Sequence, residues 1–354
     1  MSRARDLADL GGSADAGGLT GRNLIINGQM TVAQRGTSAT TSNYGTVDRW
    51  ISSYQGGTVT QSQESLTSSD TPYALGFRKF FRQTNTATAS GASDLRQMVQ
   101  IIESQNIANS GWDYTSASSY VTLSLWVRSS VAGKYGFYLL TYDTPNYQFG
   151  FTETLAANTW TKVTKTIPGN SNLVFNNDNG QGVAVAPVAW FGTDYTDSTA
   201  TVDSWVAQDT TKYLPDDLVN WAGTSGATFD ITGVQLEVGS TATDFEQETY
   251  ATTLKKCQRY YELVGTAVYV GATSYGFAGT EYAVNSNWFE IDWKTEKRTD
   301  SAVVDFINGF GWSAGPANSG AGRYGAMWYK GSSFIAQVAG DKTGLPIASV
   351  SAEL

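Results

Sequence analysis

From Tyr120 to Ser129 the chain alternates without a break: Val121, Leu123, Leu125 and Val127 are aliphatic, and Thr122, Ser124, Trp126 and Arg128 stand between them. A period of two belongs to an extended strand with one face buried and the other wet, because successive side chains of a strand point to opposite sides. The runs GKYGFYLLTY, NYQFGFTETL and TWTKVTKTIP follow, separated by Gly, Asp-Thr-Pro-Asn and Ala-Ala-Asn turns. Residues 120–168 are therefore expected to form an antiparallel meander of three to four strands. Upstream, NLIINGQMTVAQRG, VDRWISSY, GTVTQSQ and GFRKFFRQT read as short strands between turns. LRQMVQIIESQ fits both a helical and an alternating pattern, and its neighbours favour the strand. Many short strands with frequent turn signals indicate a sandwich or a barrel.

Punctuation within the runs adds detail. Pro187 in GVAVAPVAWFG has no N–H to donate, so its strand is expected at a sheet edge or at a bulge. In ATFDITGVQLEVG, the expected core residues are Phe229, Ile231, Val234, Leu236 and Val238, around a bulge at Gly233. YATTLKKCQRYYELV is expected to be a helix, with Leu254, Cys257 and Tyr261 at i, i+3 and i+7 and with Tyr260 and Leu263 widening the stripe. Cys257 on that stripe would behave as a small hydrophobe. Beyond it NWFEIDWK, AVVDFINGF, RYGAMWYKG and SFIAQVAG return to strand-like patterns.

Several functions are disfavoured by what the chain lacks. Only 16% of its residues are charged and the net charge is -9, with no basic cluster, so nucleic acid is not an expected partner. There is no histidine, which removes the commonest general base and transition-metal ligand. Cys257 alone excludes an intramolecular disulfide or a multi-cysteine metal site. Polysaccharide hydrolysis would need two carboxylates facing one cleft, and Glu290 with Asp292, or Glu103 with Asp113, are the pairs available. Glu290 and Asp292 would both point outward from an ordinary strand, so an enzyme is not expected. No apolar run approaches the roughly 20 residues of a membrane helix, and membrane insertion is not expected. The opening MSRARDLADL lacks a signal peptide's apolar core, so synthesis in the cytoplasm is expected. Residues 3–10 can form a short amphipathic turn with Leu7 and Leu10 on one side, followed by a Gly-rich hinge; a docking peg and a disordered terminus both fit.

Two segments carry a resemblance. NLIINGQMTVAQRG with VDRW shortly after, and ITGVQLEVGSTATDFEQETYATTLKKCQRYYE far downstream, resemble the opening and closing signatures of the carbohydrate-binding-like jelly-roll domain of tail fibre and other virion proteins of tailed bacteriophages. SRARDLADL and GGLTGRN resemble the particle-attachment leader of such proteins. The resemblance implies an all-β chain: an N-terminal attachment peptide over 1–22, a jelly-roll-type antiparallel β-sandwich over 23–249, a short linking helix over 250–263 and a smaller C-terminal β-domain over 264–354. It further implies a structural adhesin in the virion, on the tail or capsid surface, that docks to other virion proteins through the peptide bearing Leu7 and Leu10 and attaches to a host surface glycan. A capsid or tail decoration protein without receptor binding, and a polysaccharide-degrading tail spike, are the alternatives. A homotrimer is expected from the lack of disulfides in an acidic, Gly-rich chain, with Leu254, Tyr260 and Tyr261 as axial contacts unless they pack within one chain.

A sugar platform needs an aromatic face beside groups that take hydroxyls. The stretch from Trp190 to Trp221 is richest in both, and Trp190, Asp194, Tyr195, Trp205, Asn220 and Trp221 are the candidate carbohydrate-binding residues; the plainer alternative is that its tryptophans cap the core. Asp194, Asp197 and Asp203 are weak calcium candidates, their spacing matching no fixed loop, and no other cofactor is expected. Asn27-Gly28 reads as a turn that permits positive φ. Asp48, Arg49 and Trp50 read as a structural corner, with ligand contact the alternative, and Glu237 is expected to face water or bind a cation.

Overall fold

The computed structural model describes residues 21–265 and, beyond them, 287–292, 294–298, 303–306, 317–321, 325–330 and 347–354. The attachment peptide with Leu7 and Leu10 lies outside the described residues. The chain divides after Thr253 into two compact units, with Leu354 belonging to the first.

The first unit is a jelly-roll-type sandwich of two antiparallel sheets. One has six strands in the order Ser38–Ala39 (β1), Thr58–Ser65 (β4), Lys79–Ala87 (β5), Thr228–Val238 (β13), Tyr120–Ser129 (β7) and Thr161–Pro168 (β10). The other has seven: Trp205–Ala207 (β12), Tyr147–Leu155 (β9), Gly133–Thr141 (β8), Gln181–Phe191 (β11), Leu95–Glu103 (β6), Ile51–Gln55 (β3) and Asn43–Tyr44 (β2). Val121, Leu123, Leu125 and Val127 are buried as the alternation requires, in one core with Phe137, Leu139, Phe149, Phe151, Val183 and Val185 of the opposite sheet and with Phe229, Ile231, Val234 and Leu236 of β13. Each such side chain contributes about 1.5–3 kcal/mol by leaving water.

The expected meander is not formed. β7 pairs with β10 and β13, whereas β8 and β9 form a hairpin in the other sheet. Alternation shows which face of a strand is buried and is silent about which sheet the strand joins. Pro187 does not mark an edge either, because β11 is interior, flanked by β8 and β6. The proline is tolerated beside a register shift between Val188 and Trp190 on the β6 side. The bulge at Gly233 is present: φ is +60° and the β13–β7 register shifts between Thr232 and Gln235. A Cβ there would meet the Phe77 ring at 2.7 Å.

The two signature segments meet in space. Asn27 adopts φ +59°, and its side chain donates to Val32 O at 2.9 Å and Asp48 O at 3.0 Å and accepts from Val32 N at 3.1 Å. Trp50 is wholly buried, and Asp48 accepts from Gln34 N at 2.9 Å, so this corner is structural. Gly28 lies so close to β13 that a Cβ would sit 2.1 Å from Val234 O. Leu24 N donates to Leu236 O at 2.9 Å, and Asn23 accepts from Leu236 N at 3.1 Å. The Glu246 carboxylate then takes the N–H groups of Gly21 and Asn23, one on each oxygen, while Arg22 donates to Asp244 O at 3.0 Å. Glu237, expected to face water or a cation, is instead 1% exposed. It accepts from Thr243 N at 2.8 Å, Thr243 Oγ1 at 2.6 Å and Gln235 at 2.9 Å, fixing the turn after β13.

The helix after the sandwich is Tyr250–Gln258, shorter than expected, because Tyr261 opens the strand Tyr261–Gly265. That strand pairs with Ile347–Ser351, which also pairs with Val303–Phe306. Asn287–Asp292, Gly325–Lys330 and Ala317–Ala321 form a second three-stranded antiparallel sheet. Cys257 is wholly buried. Tyr260 and Tyr261 retain 1% and 6% exposure within a single chain, packed mainly by their own chain, and Leu254 is half-buried. Lys297, itself fully buried, donates at 2.6 Å to both Glu262 and Gln258 O.

Candidate functional site

Four of the six expected sugar-facing residues have other work. Trp221 is wholly buried in the sandwich core, its indole N–H on Thr228 O at 3.1 Å. Trp205 is buried edge-on to Phe149, with its N–H on Pro168 O at 2.7 Å. Trp190 is half-buried against the same core. Asn220 is exposed, but its carbonyl caps the 3-10 turn Trp221–Gly223 by accepting Gly223 N at 2.9 Å. The calcium candidates are likewise dispersed. Asp203 pairs with Lys165, and Asp197 accepts Thr199 N at 2.7 Å. Among the described residues no group of three acidic or sulfur ligands could hold a metal ion. Of the carboxylate pairs, Glu103 is wholly buried and Asp113 is exposed, while the side chains of Glu290 and Asp292 lie outside the described residues.

The outer face of the seven-stranded sheet assembles a different set. Gly136 of β8 and Gly150 of β9 leave a hollow in that face, and Leu214 fills it: a Cβ on Gly136 would meet Leu214 Cδ1 at 2.2 Å, and one on Gly150 would meet Tyr213 O at 2.8 Å. The missing side chains let the segment between β11 and the 3-10 turn lie flat on the strands. Tyr213 N donates to Tyr195 O at 3.0 Å and Asp197 N to Leu214 O at 3.1 Å, so Tyr195 and Tyr213 are held side by side. Tyr213 stacks on Tyr138 of β8 with centroids 5.2 Å apart, and Phe191 sits 5.4 Å from Tyr195 and 6.0 Å from Tyr138. Tyr142, four residues beyond Tyr138 and just past the end of β8, packs against this cluster.

The rings carry a polar border. Tyr138 donates to Gln97 at 2.7 Å, Gln208 donates to the Tyr213 hydroxyl at 2.7 Å, Asn146 donates to Gln208 at 3.1 Å, and Tyr195 donates to Ser93 O at 3.2 Å. The Tyr142 hydroxyl has no partner among the described residues. Burial, then the neighbouring Tyr213, push Tyr142 up to about 12, so it remains a neutral donor. Tyr142, Tyr195, Tyr213, Gln97 and Gln208 are each half-buried, presenting edges and hydroxyls to solvent. Asp194 and Tyr195 thus remain from the expected set, whereas Tyr138, Tyr142 and Tyr213 were missed. A signal for two of them existed: Gly136, Tyr138, Leu140 and Tyr142 occupy the phase opposite to the core, which marks β8 as covered on both faces.

No protein-family model matches the chain, and no curated protein matches it. Among solved structures, a family 11 carbohydrate-binding module of a cellulosomal cellulase from Clostridium thermocellum is similar at 11% identity and TM-score 0.30, over 58% of this chain and 96% of that one. A xylan-binding domain from Paenibacillus barcinonensis is similar at 11% identity and TM-score 0.28, over 58% of this chain and 94% of that one. An arabinose-bound α-L-arabinofuranosidase is similar at 12% identity and TM-score 0.36, over 70% of this chain; the match spans only 31% of that enzyme.

Proposed function

We propose that this chain is a structural adhesin of a tailed-phage particle, on a tail fibre or spike, whose sandwich holds a host surface glycan against the outer face bearing Tyr138, Tyr142, Tyr195 and Tyr213. The observation that carries the glycan reading is the tyrosine cluster itself. Packed rings offer apolar faces and edges to the C–H side of a pyranose, and hydroxyls and amides at the same level take its hydroxyl groups. The particle reading is supported by the resemblance of residues 23–36, 47–50 and 231–262 to the phage signatures. Binding of the full chain to a glycan array and to host envelopes tests the proposal. Tyr213→Ala, which removes the ring stacked on Tyr138, is expected to weaken binding by about 1–3 kcal/mol. A chain that binds no glycan and no host envelope would sink the reading.

A further inference from the structure

We infer that this face takes neutral glycans and rejects acidic ones, with the Tyr142 hydroxyl reading a ligand hydroxyl; this rests on the glycan reading above. The aromatic floor and its amide border contain no cationic side chain: Tyr138, Tyr142, Tyr195, Tyr213, Phe191, Gln97, Gln208 and Asn146 are all uncharged. The surrounding charges are mainly negative. Asp194, exposed, precedes Tyr195 in the chain. Asp209 follows Gln208 and is near enough to act on Tyr213, and Asp197 is near enough to act on Asp209. Both aspartates accept hydrogen bonds within their own turns, Asp197 from Thr199 N at 2.7 Å and Asp209 from Thr211 N at 3.0 Å, which favour the ionised forms. Lys212 is a cation at this border, near enough to act on both Asp197 and Asp209, and its ammonium donates to Thr199 Oγ1 at 3.1 Å. A uronate, sialate or phosphate group brought here would meet three carboxylates, Asp194, Asp197 and Asp209, against the ammonium of Lys212 and no guanidinium, whereas a neutral sugar meets donors and acceptors alone.

Tyr142 makes the inference sharp. Its hydroxyl bonds nothing among the described residues, so removing it should leave the fold unchanged and register only when a ligand is present.

The experiment is calorimetric titration of the full chain with a neutral hexose oligosaccharide and with its uronate counterpart of the same linkage, drawn from glycans the chain retains on an array. The expected result is a uronate affinity at least about tenfold weaker, rising with added salt as repulsion is screened, against a salt-insensitive neutral affinity. Asp194→Asn with Asp209→Asn should narrow the gap. Tyr142→Phe should weaken neutral binding severalfold at unchanged Tm. Equal or tighter binding of the uronate, or no effect of Tyr142→Phe, overturns the inference while the glycan reading stands. Retention of no glycan of either kind overturns both.

Discussion

A single carboxylate organises the outer face of the six-stranded sheet. Asp230 stands directly opposite Arg82 on β5 and Arg128 on β7, and both guanidiniums reach it, at 2.7 Å and 2.9 Å. The wholly buried acid is tolerable because it is clamped from both sides, so Asp230→Ala should cost about 3–5 kcal/mol by urea unfolding, as two arginines lose their counter-charge. Arg128 also binds Asp70 at 2.8 Å, and Trp160 donates to the same oxygen at 2.9 Å. Burial raises the Asp70 carboxyl, but hydrogen bonds from Thr67 and Trp160 and the charge of Arg128 together hold it below the ordinary value of 3.8. A carboxyl lowered in the folded state adds stability above its unfolded value, and that stability disappears as pH falls through the folded one. Asp70→Asn should therefore flatten the acid limb of a plot of stability against pH and leave the neutral-to-alkaline limb unaltered in shape. None of this was legible in the sequence, because Arg128 and Asp230 lie far from Asp70 and Arg82 in it, and only the register of three strands, with the loop bearing Asp70, makes them neighbours.

At the level of elements, the low charge content has a structural explanation. Strand glutamines reach out and pair with the backbone of long connections as a neighbouring peptide would. Gln100 accepts from Ile26 N and donates to Ile26 O, both at 2.8 Å. Gln148 accepts from Asp209 N at 3.1 Å and donates to Lys212 O at 2.8 Å. Gln235 accepts from Glu246 N at 2.8 Å. Each amide satisfies part-buried main-chain groups without bringing in a charge. Gln148→Leu keeps the bulk and removes both of these hydrogen bonds, so it should cost about 0.5–1.5 kcal/mol for each, with hydrogen exchange accelerated at 208–213 before the rest of the sheet. In the second unit, Lys297→Met should be costly, about 3–5 kcal/mol, because the buried Glu262 loses its close ammonium and keeps the more distant one of Lys294, at 3.8 Å; replacing both Lys297 and Glu262 by apolar residues should recover most of the loss in thermal melts. The sequence displays the amides as composition, but their targets are loop backbones, which leave no pattern to read.

For the molecule as a whole, the class of fold was legible and the wiring was not. Period-two runs such as Tyr120–Ser129 identified the strands, the core faces and the bulge at Gly233. They could not show where the chain crosses from one sheet to the other, as it does between β7 and β8 and between β9 and β10, since a strand facing the interior from either side has the same pattern. The tryptophans from Trp190 to Trp221 fit both a sugar platform and a cap on the core, and the structure buries Trp205 and Trp221 in the core between the sheets, while the hollow made by two glycines on the outer face takes Leu214. Pairings such as β5 and β7 with β13 join distant parts of the chain, so the sandwich is expected to refold on a timescale of milliseconds to seconds or longer by stopped-flow fluorescence. Sub-millisecond refolding would contradict that wiring.

The junction at Glu246 also sets where tension runs. The chain enters the sandwich at Gly21 and leaves it after Thr249, and these two points are stitched side by side by the bonds from Gly21, Arg22 and Asn23 to Asp244 and Glu246. A pull applied between them peels that seam one contact at a time, and neither sheet carries load until it has parted. A body tethered at both points would thus swivel and yield at its hinge while the tyrosine-bearing wall keeps its shape.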